Sequence, residues 1–275
     1  MTRVSVLGAG AWGTALACCL SENAAETRLW TWQEEHARAL ERDRENREFF
    51  AGISLPPALG VTSSLEEAGR HAELLVLVVP SPALRSTLES VRPYLSADVT
   101  IVSATKGIEN DTLRLMTGVI GDVLGSEFEE SAVALSGPSF AHEVARRVPT
   151  NLVAASKSAE RASLVQDVFS RDWLRIYTND DPTGVELGGA LKNVIAIAAG
   201  ALDGFGLGQN TRAALITRGV AEMSRLAVAM GGDARTMAGL AGIGDLVLTC
   251  TGDLSRNRTL GKKLGAGVPV EEALR

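Results

Sequence analysis

The stretch VSVLGAGAWGTALA, residues 4–17, decides the fold. A short strand-like run leads into Gly8, Gly10 and Gly13 at the G-x-G-x-x-G spacing, and a helix-forming run follows. Gly8 permits a tight turn, Gly10 lets backbone approach a pyrophosphate, and Gly13 allows a helix to pack closely on a strand. The start of the helix then offers unpaired N–H groups and partial positive charge to phosphates. The spacing alone also suits a tight turn in another α/β protein. Its position after a strand and ahead of a helix, at the head of the chain, favours a dinucleotide site.

Outward from this loop, TRLWTW (27–32), LLVLVV (74–79), VTIVSA (99–104), AVALS (132–136), NLVAAS (151–156) and LRIYT (174–178) read as further strands. Several are apolar at consecutive positions, which suits strands covered on both faces. Helical patterns separate them, so the expected class is α/β, with a Rossmann-like, doubly wound parallel sheet. NDDPTG (179–184) supplies a turn and a helix start, and beyond it only helical patterns follow, such as ALITRGVAEMSRLAVAM (214–230). The expected division is a dinucleotide-binding domain over 1–182 and an all-helical domain over 183–275.

The 275 residues suffice for about two domains. A net charge of -6 disfavours nucleic acid, anionic membranes and acidic partners, so an anionic ligand needs a local basic cradle. Cys18, Cys19 and Cys250 form neither a disulfide framework nor a zinc-ligand spacing, which fits a reducing cytosol and no metal site. The first residues run straight into a strand, unlike a secretory signal. No uninterrupted apolar run approaches the roughly 20 residues of a membrane span. The expectation is a cytoplasmic protein without membrane insertion.

Coenzyme choice stays open at this level. NAD sites usually place Asp or Glu at the end of the second strand, and NADP sites Arg. Here Trp32 and Gln33 precede Glu34, and neither rule is met.

GVELGGALKNVIAIAAG (184–200) reads as a helix with Lys192 and Asn193 at its centre. Helical spacing puts Val185, Gly188, Gly189, Ile195, Ala196 and Ala199 around Lys192, and Leu187, Leu191, Val194 and Ala198 on a second apolar stripe. Both stripes are expected to be buried, with the glycines admitting something close to the helix backbone. The plain alternative is a snorkelling lysine whose stem packs while its amine reaches water. SATKGIE (103–109) leaves Lys106 just past a strand's C-terminal end, where open α/β sheets bind ligands. LSGPSFAHEV (135–144) does the same with Gly137 and Ser139, although a simple Gly-Pro turn accounts for it equally well. GLAGIGDLVLTCTGDLSRNR (239–258) carries Asp245, Thr249, Ser255, Arg256, Asn257 and Arg258. Guanidinium forks match phosphate oxygens, so this run is a phosphate cradle or a solvated loop.

Taken in order, GAGAWGTALA, ATKGIE, LSGPSFAHEV, GVELGGALKNVIAIAAG, the GLGQNTRAALITRG run and GDLVLTCT with SRNR resemble the bacterial-type NAD(P)-dependent glycerol-3-phosphate dehydrogenase family across nearly the whole chain. The resemblance implies reversible hydride transfer between a nicotinamide and C2 of sn-glycerol 3-phosphate, giving dihydroxyacetone phosphate and serving phospholipid synthesis. It implies Lys192 as the general acid–base, its proton affinity tuned by an apolar wall, beside glycines that admit the substrate and nicotinamide. It implies Lys106, Gly137, Ser139, Asp245, Ser255, Arg256 and Asn257 as substrate contacts, with Arg256 and Asn257 on the phosphate and Asn193 and Thr249 in the same pocket. Gly8, Gly10, Ala11, Trp12, Gly13, Lys106, Ala141 and Arg256 correspond to coenzyme contacts.

Three departures stand out. Trp32, followed by Gln33, stands where many members have a basic residue. NREFF (46–50) places Phe49 where the family has a tyrosine near the coenzyme. Members also run some tens of residues past VPVEEALR (268–275), with a glutamate that touches the coenzyme; on that reading this chain is short of family length or completes its site differently. The amphipathic helical half is compatible with a homodimer interface. Two rivals remain. Another β-hydroxyacid-type dehydrogenase would need a different cluster in place of SRNR. A non-catalytic dinucleotide-binding remnant would need none of Lys192, Asp245 and Arg256.

Overall fold

The computed structural model describes residues 2–22 and 26–274. They divide into two compact units: one comprises the chain up to Leu135 together with Ala141–Asp180, the other Ser136–Phe140 together with Asp181 to the end.

The first unit is built on strands β1 (Val4–Leu7), β2 (Thr27–Trp30), β3 (Glu45–Asn46), β4 (Phe50–Ser54), β5 (Gly60–Thr62), β6 (Leu74–Leu77), β7 (Thr100–Ser103), β8 (Val133–Ser136), β9 (Thr150–Ala155) and β10 (Leu174–Asn179). Helices α1 (Ala11–Ser21), α2 (Glu34–Asp43), α3 (Leu65–His71), α4 (Leu84–Val91), α5 (Met116–Leu124), α6 (Ser126–Ser131), α7 (Ala141–Ala145) and α8 (Ala159–Phe169) alternate with them. Eight strands form one sheet in the order β10-β9-β8-β7-β6-β1-β2-β5, and β3 and β4 form a small antiparallel hairpin. β1 pairs in parallel with both β2 and β6. The chain therefore winds outward through β2 to β5, then crosses to β6 and winds the other way. That reversal puts the topological switch point between β1 and β6, the crevice where such sheets take their ligands.

All seven strands read from the sequence are present, and the structure adds β5 and the hairpin. β5 has three residues, too few for either periodicity to register. Side chains of a strand alternate between faces, and two core clusters result. Val4, Val6, Leu74 and Val76 join Leu16 of α1 and Val165 of α8, while Leu7, Leu75 and Leu77 join Leu84 of α4 and Met116 of α5. Consecutive apolar residues in these strands are thus explained by cover on both faces.

The second unit is helical: α9 (Pro182–Gly204), α10 (Gln209–Ala229), α11 (Ala234–Met237), a π-helical turn (Leu240–Gly244), α12 (Asp245–Thr251), α13 (Arg256–Gly265) and α14 (Val270–Ala273). The α10, α12 and α13 helices pack on α9. Asp181 caps α9 through the Gly184 N–H at 2.8 Å, and Pro182 stands in the first turn, where its missing N–H costs nothing. The other Asp181 oxygen accepts from the Thr236 hydroxyl at 2.7 Å and the Asp233 N–H at 2.8 Å, tying the start of α9 to α11. By length and composition α9 could cross a membrane, and half of its most apolar window is buried inside the unit.

Two expectations about α9 are corrected. The stripe of Leu187, Leu191, Val194 and Ala198 is not uniformly covered: Leu187 is fully buried, whereas Val194 is 71% exposed. Gly188 admits the protein's own backbone, not a ligand: a Cβ there would stand 2.3 Å from the Ala241 carbonyl oxygen of the π-helical turn. Gly200 and Gly261 work likewise, since a Cβ would meet the Arg258 carbonyl oxygen at 2.0 Å and the Ile197 carbonyl oxygen at 1.9 Å. These glycines let α9 and α13 cross at close range.

Candidate active site

In the first unit the glycine loop joins β1 to α1. Gly8 adopts φ +119°, and a Cβ there would lie 2.6 Å from the Val78 carbonyl oxygen, so only glycine turns the chain beside β6. Gly13 is tighter still, with a Cβ 1.8 Å from the Gly8 carbonyl oxygen. Gly10 differs: a Cβ would meet nothing within 4 Å. Its bareness leaves room outside the protein. Gly10 is also the N-cap of α1 and provides no side-chain cap, so the first N–H groups of the helix are left to another partner. Ala11 and Trp12 form the first turn, half-buried.

Past the end of β2, Trp32 is 75% exposed and Gln33 is the exposed N-cap of α2. A cavity of about 600 Å³ opens beside them, lined also by His36 and Arg47. Phe49 is 48% exposed, its ring edge-on to His36 at 5.4 Å. Lys106 is half-buried three residues past the end of β7. Its loop is anchored on both sides: the Thr105 hydroxyl donates to the Val79 carbonyl at 2.9 Å, and Glu109 accepts a two-pronged bond from Arg85 at 2.9 and 2.7 Å. Arg85 and the Thr112 hydroxyl hold the Glu109 carboxyl down at about 2. Ala141 opens α7.

In the second unit α9 presents Lys192 to α12. The ammonium donates to Asp245 Oδ1 and, at 3.0 Å, to Thr249 Oγ1. The Thr249 hydroxyl in turn donates to the Asp245 carbonyl at 2.6 Å. Lys192 is 8% exposed, Asp245 1% and Thr249 5%. The snorkelling alternative is overturned, because the amine is buried against a carboxylate. A buried ion pair persists when further hydrogen bonds satisfy its atoms, and Thr249 supplies one. The sequence hid this pairing, since Asp245 lies 53 residues from Lys192.

Asn193, the next residue, accepts a hydrogen bond from Asn257 Nδ2 at 2.8 Å. Ser255 is buried and caps α13 by accepting from the Arg258 N–H at 3.2 Å. Arg256 is exposed in the first turn of α13 and, with Asn257, lines a cavity of about 560 Å³. Arg258 is committed elsewhere: it binds Asp203 and Asp253, each at 2.8 Å. Of the two arginines in SRNR, one is structural. Gly137, with φ +138°, and Ser139 lie in the Ser136–Phe140 segment that belongs to this unit, where Ser139 donates to the Gly137 carbonyl at 3.1 Å. The Phe140 ring occupies the space a Cβ on Gly252 would need, 2.6 Å away. The structure thus brings Lys192, Asp245 and Thr249 into contact, and Asn193 with Asn257. Burial pushes the Cys18 and Cys19 thiols up to about 12 and Cys250 up to about 11, leaving them inert.

Three residues carrying this site escaped the sequence reading. Asn46, His36 and Thr31 form a buried hydrogen-bonded chain beneath the glycine loop. Asn46 stands first in NREFF, but nothing in its spacing points to a partner 37 residues away.

The family model for the N-terminus of NAD-dependent glycerol-3-phosphate dehydrogenase matches residues 3–162, and that for its C-terminus matches residues 181–275. The glycerol-3-phosphate dehydrogenase (NAD(P)+) of Geobacter metallireducens is 54% identical over 272 residues, 99% of this chain and 81% of that protein. The enzyme of the same name from Koribacter versatilis is 52% identical over 268 residues, covering 97% of this chain and 80% of its own. The crystal structure of glycerol-3-phosphate dehydrogenase from Coxiella burnetii superposes with a TM-score of 0.94 at 38% identity, covering 99% of this chain and 83% of that one.

Proposed function

We infer the function from one premise: the chain belongs to the NAD-dependent glycerol-3-phosphate dehydrogenase family. It is an oxidoreductase that interconverts sn-glycerol 3-phosphate and dihydroxyacetone phosphate with NAD or NADP, and in the reductive direction it supplies the backbone of phospholipids. The observation that carries this reading is the buried contact of Lys192 with Asp245 and Thr249.

The first unit fits a dinucleotide, because Gly10 is open and the α1 N-terminus has no side-chain cap. Gly8, Gly10, Ala11, Trp12 and Gly13 hold the pyrophosphate, Trp32, Gln33 and Phe49 flank the ribose side, and Lys106 and Ala141 complete this unit's coenzyme contacts. When bound, the nicotinamide supplies or accepts the hydride at C2 of the substrate.

Lys192 moves the proton. As ammonium it donates to the ketone oxygen during reduction, and as amine it takes the hydroxyl proton during oxidation. Its charge also stabilises alkoxide character in the transition state. Asp245 and Thr249 hold the nitrogen and keep it from swinging to water. Arg256 at the N-terminus of α13 binds the substrate phosphate, where guanidinium and helix end act in one direction. Asn257, steadied by Asn193, gives an amide to the same anion, with Ser255, Gly137 and Ser139 in the same unit. The same reading places the enzyme in the cytoplasm without membrane insertion, α9 being a core helix of its unit. Exposed Val194 and Phe205 support a homodimer.

The test is the fall in NADH absorbance, and separately NADPH, with dihydroxyacetone phosphate and this chain. Turnover with either is expected. Coenzyme binding without turnover would favour the non-catalytic remnant instead.

A further inference from the structure

The side chain of Asn46 is completely buried. Its amide nitrogen donates to the Ala9 carbonyl and to Thr14 Oγ1, both at 2.8 Å. Its oxygen accepts from the Phe49 N–H and from His36 Nε2, both at 3.2 Å. Two donors and two acceptor positions are the full capacity of a carboxamide, so every one is used. The bonds fix the orientation of the amide, since only nitrogen can donate to the Ala9 carbonyl. They also place a proton on His36 Nε2, and the other ring nitrogen, Nδ1, is hydrogen-bonded to Thr31 Oγ1 at 3.0 Å. A buried relay therefore runs from Thr31, at the end of β2, through His36 and Asn46 to the glycine loop.

Its target matters. Ala9 is the residue between Gly8 and Gly10, and its carbonyl shares one rigid peptide plane with the Gly10 N–H. In a trans peptide the two point in opposite directions. Asn46 draws the carbonyl inward, where Ala9 is buried, and so turns the Gly10 N–H toward the side on which Gly10 is exposed and open. Thr14, the second target, lies in α1 and donates its N–H to the Gly10 carbonyl at 2.9 Å. One side chain thus holds both ends of the turn that faces the pyrophosphate.

We propose that Asn46, held by His36 and Thr31, is a positioning residue of the coenzyme site that sets the Ala9–Gly10 peptide in its phosphate-receiving orientation. The proposal rests on the reading of the glycine loop as the pyrophosphate site. The relay also joins the two places where a dinucleotide is gripped, the glycine loop and the end of β2.

The experiment titrates NADH and NADPH against the full chain, following protein fluorescence, with melting followed in parallel. Asn46→Asp keeps an oxygen for His36 and Phe49 but sets a second oxygen against the Ala9 carbonyl. Its coenzyme Kd is expected to rise roughly tenfold, with kcat at saturating coenzyme within about threefold of the parent. A folded Asn46→Asp chain with the parent Kd would overturn the proposal while leaving the coenzyme site standing. If the parent chain binds neither coenzyme, the glycine-loop reading falls and this one with it. Should Asn46→Asp fail to fold, Thr31→Val decides. That variant cuts the far end of the relay at nearly constant volume, and a rise of about threefold in Kd is expected. An unchanged Kd would reduce Asn46 to a structural residue.

Discussion

Gly10 and Gly188 are the same residue put to opposite uses. A Cβ on Gly10 would meet nothing, and one on Gly188 would strike the backbone of a neighbouring helical turn at 2.3 Å. The first glycine leaves space for something outside the chain; the second removes space between two parts of it. The contrast extends to their units. The pyrophosphate cradle at the glycine loop is made of backbone, its charge the partial charge of uncapped N–H groups. The candidate substrate site is made of side chains, a buried ammonium paired with a carboxylate and a guanidinium at a helix end. A backbone site depends on orientation, a side-chain site on compensated charge. They should therefore fail in different ways.

The largest effect is expected where charge is compensated. Lys192→Met takes the ammonium away from the buried Asp245 carboxylate and should cost about 3–5 kcal/mol of stability. The double variant Lys192→Met with Asp245→Leu should recover most of that loss and remain inactive. Denaturant melts of the three chains would show it, and a double variant no more stable than the single one would mean the pair does not compensate itself. Next comes Gly188→Ala, where overpacking against fixed backbone should cost about 1–3 kcal/mol. A Gly188→Ala chain melting like the parent would dissolve the contrast between the two glycines. The smallest effect concerns the Lys106 loop. The Glu109 carboxyl is lowered from 4.5 to about 2, so its contribution is full above pH 4.5 and is lost as pH falls toward 2. The melting difference between parent and Glu109→Gln should be present at neutral pH and close across that window; a difference independent of pH would assign it to packing.

How much was legible follows the same line. The sheet and the glycine loop could be read because each rests on local spacing: apolar runs for strands covered on both faces, and three glycines before a helix. The Lys192 helix was legible as a helix, but not what covers it. Val194 and Leu187 carry the same apolar signal and differ only in what packs against them. Lys192 and Asp245 meet across 53 residues, and Asn46 meets Ala9 across 37, separations that no periodicity records. The SRNR run showed the chemistry without the division of labour. Only the packing of α13 shows that Arg258 serves Asp203 while Arg256 faces a cavity.

The most direct test crosses the two sites in one set of measurements: coenzyme Kd and kcat for Lys192→Ala and for Gly10→Ala. Gly10 has φ -73°, so alanine fits its backbone, and the weaker cap should cost under about 1 kcal/mol. Lys192→Ala should bind NADH or NADPH nearly as the parent does while kcat falls roughly 10²-fold or more. Gly10→Ala should raise coenzyme Kd by about tenfold and leave kcat at saturation nearly unchanged. Equal losses of binding and rate in Lys192→Ala would make that lysine structural and contradict the division of labour between the two units.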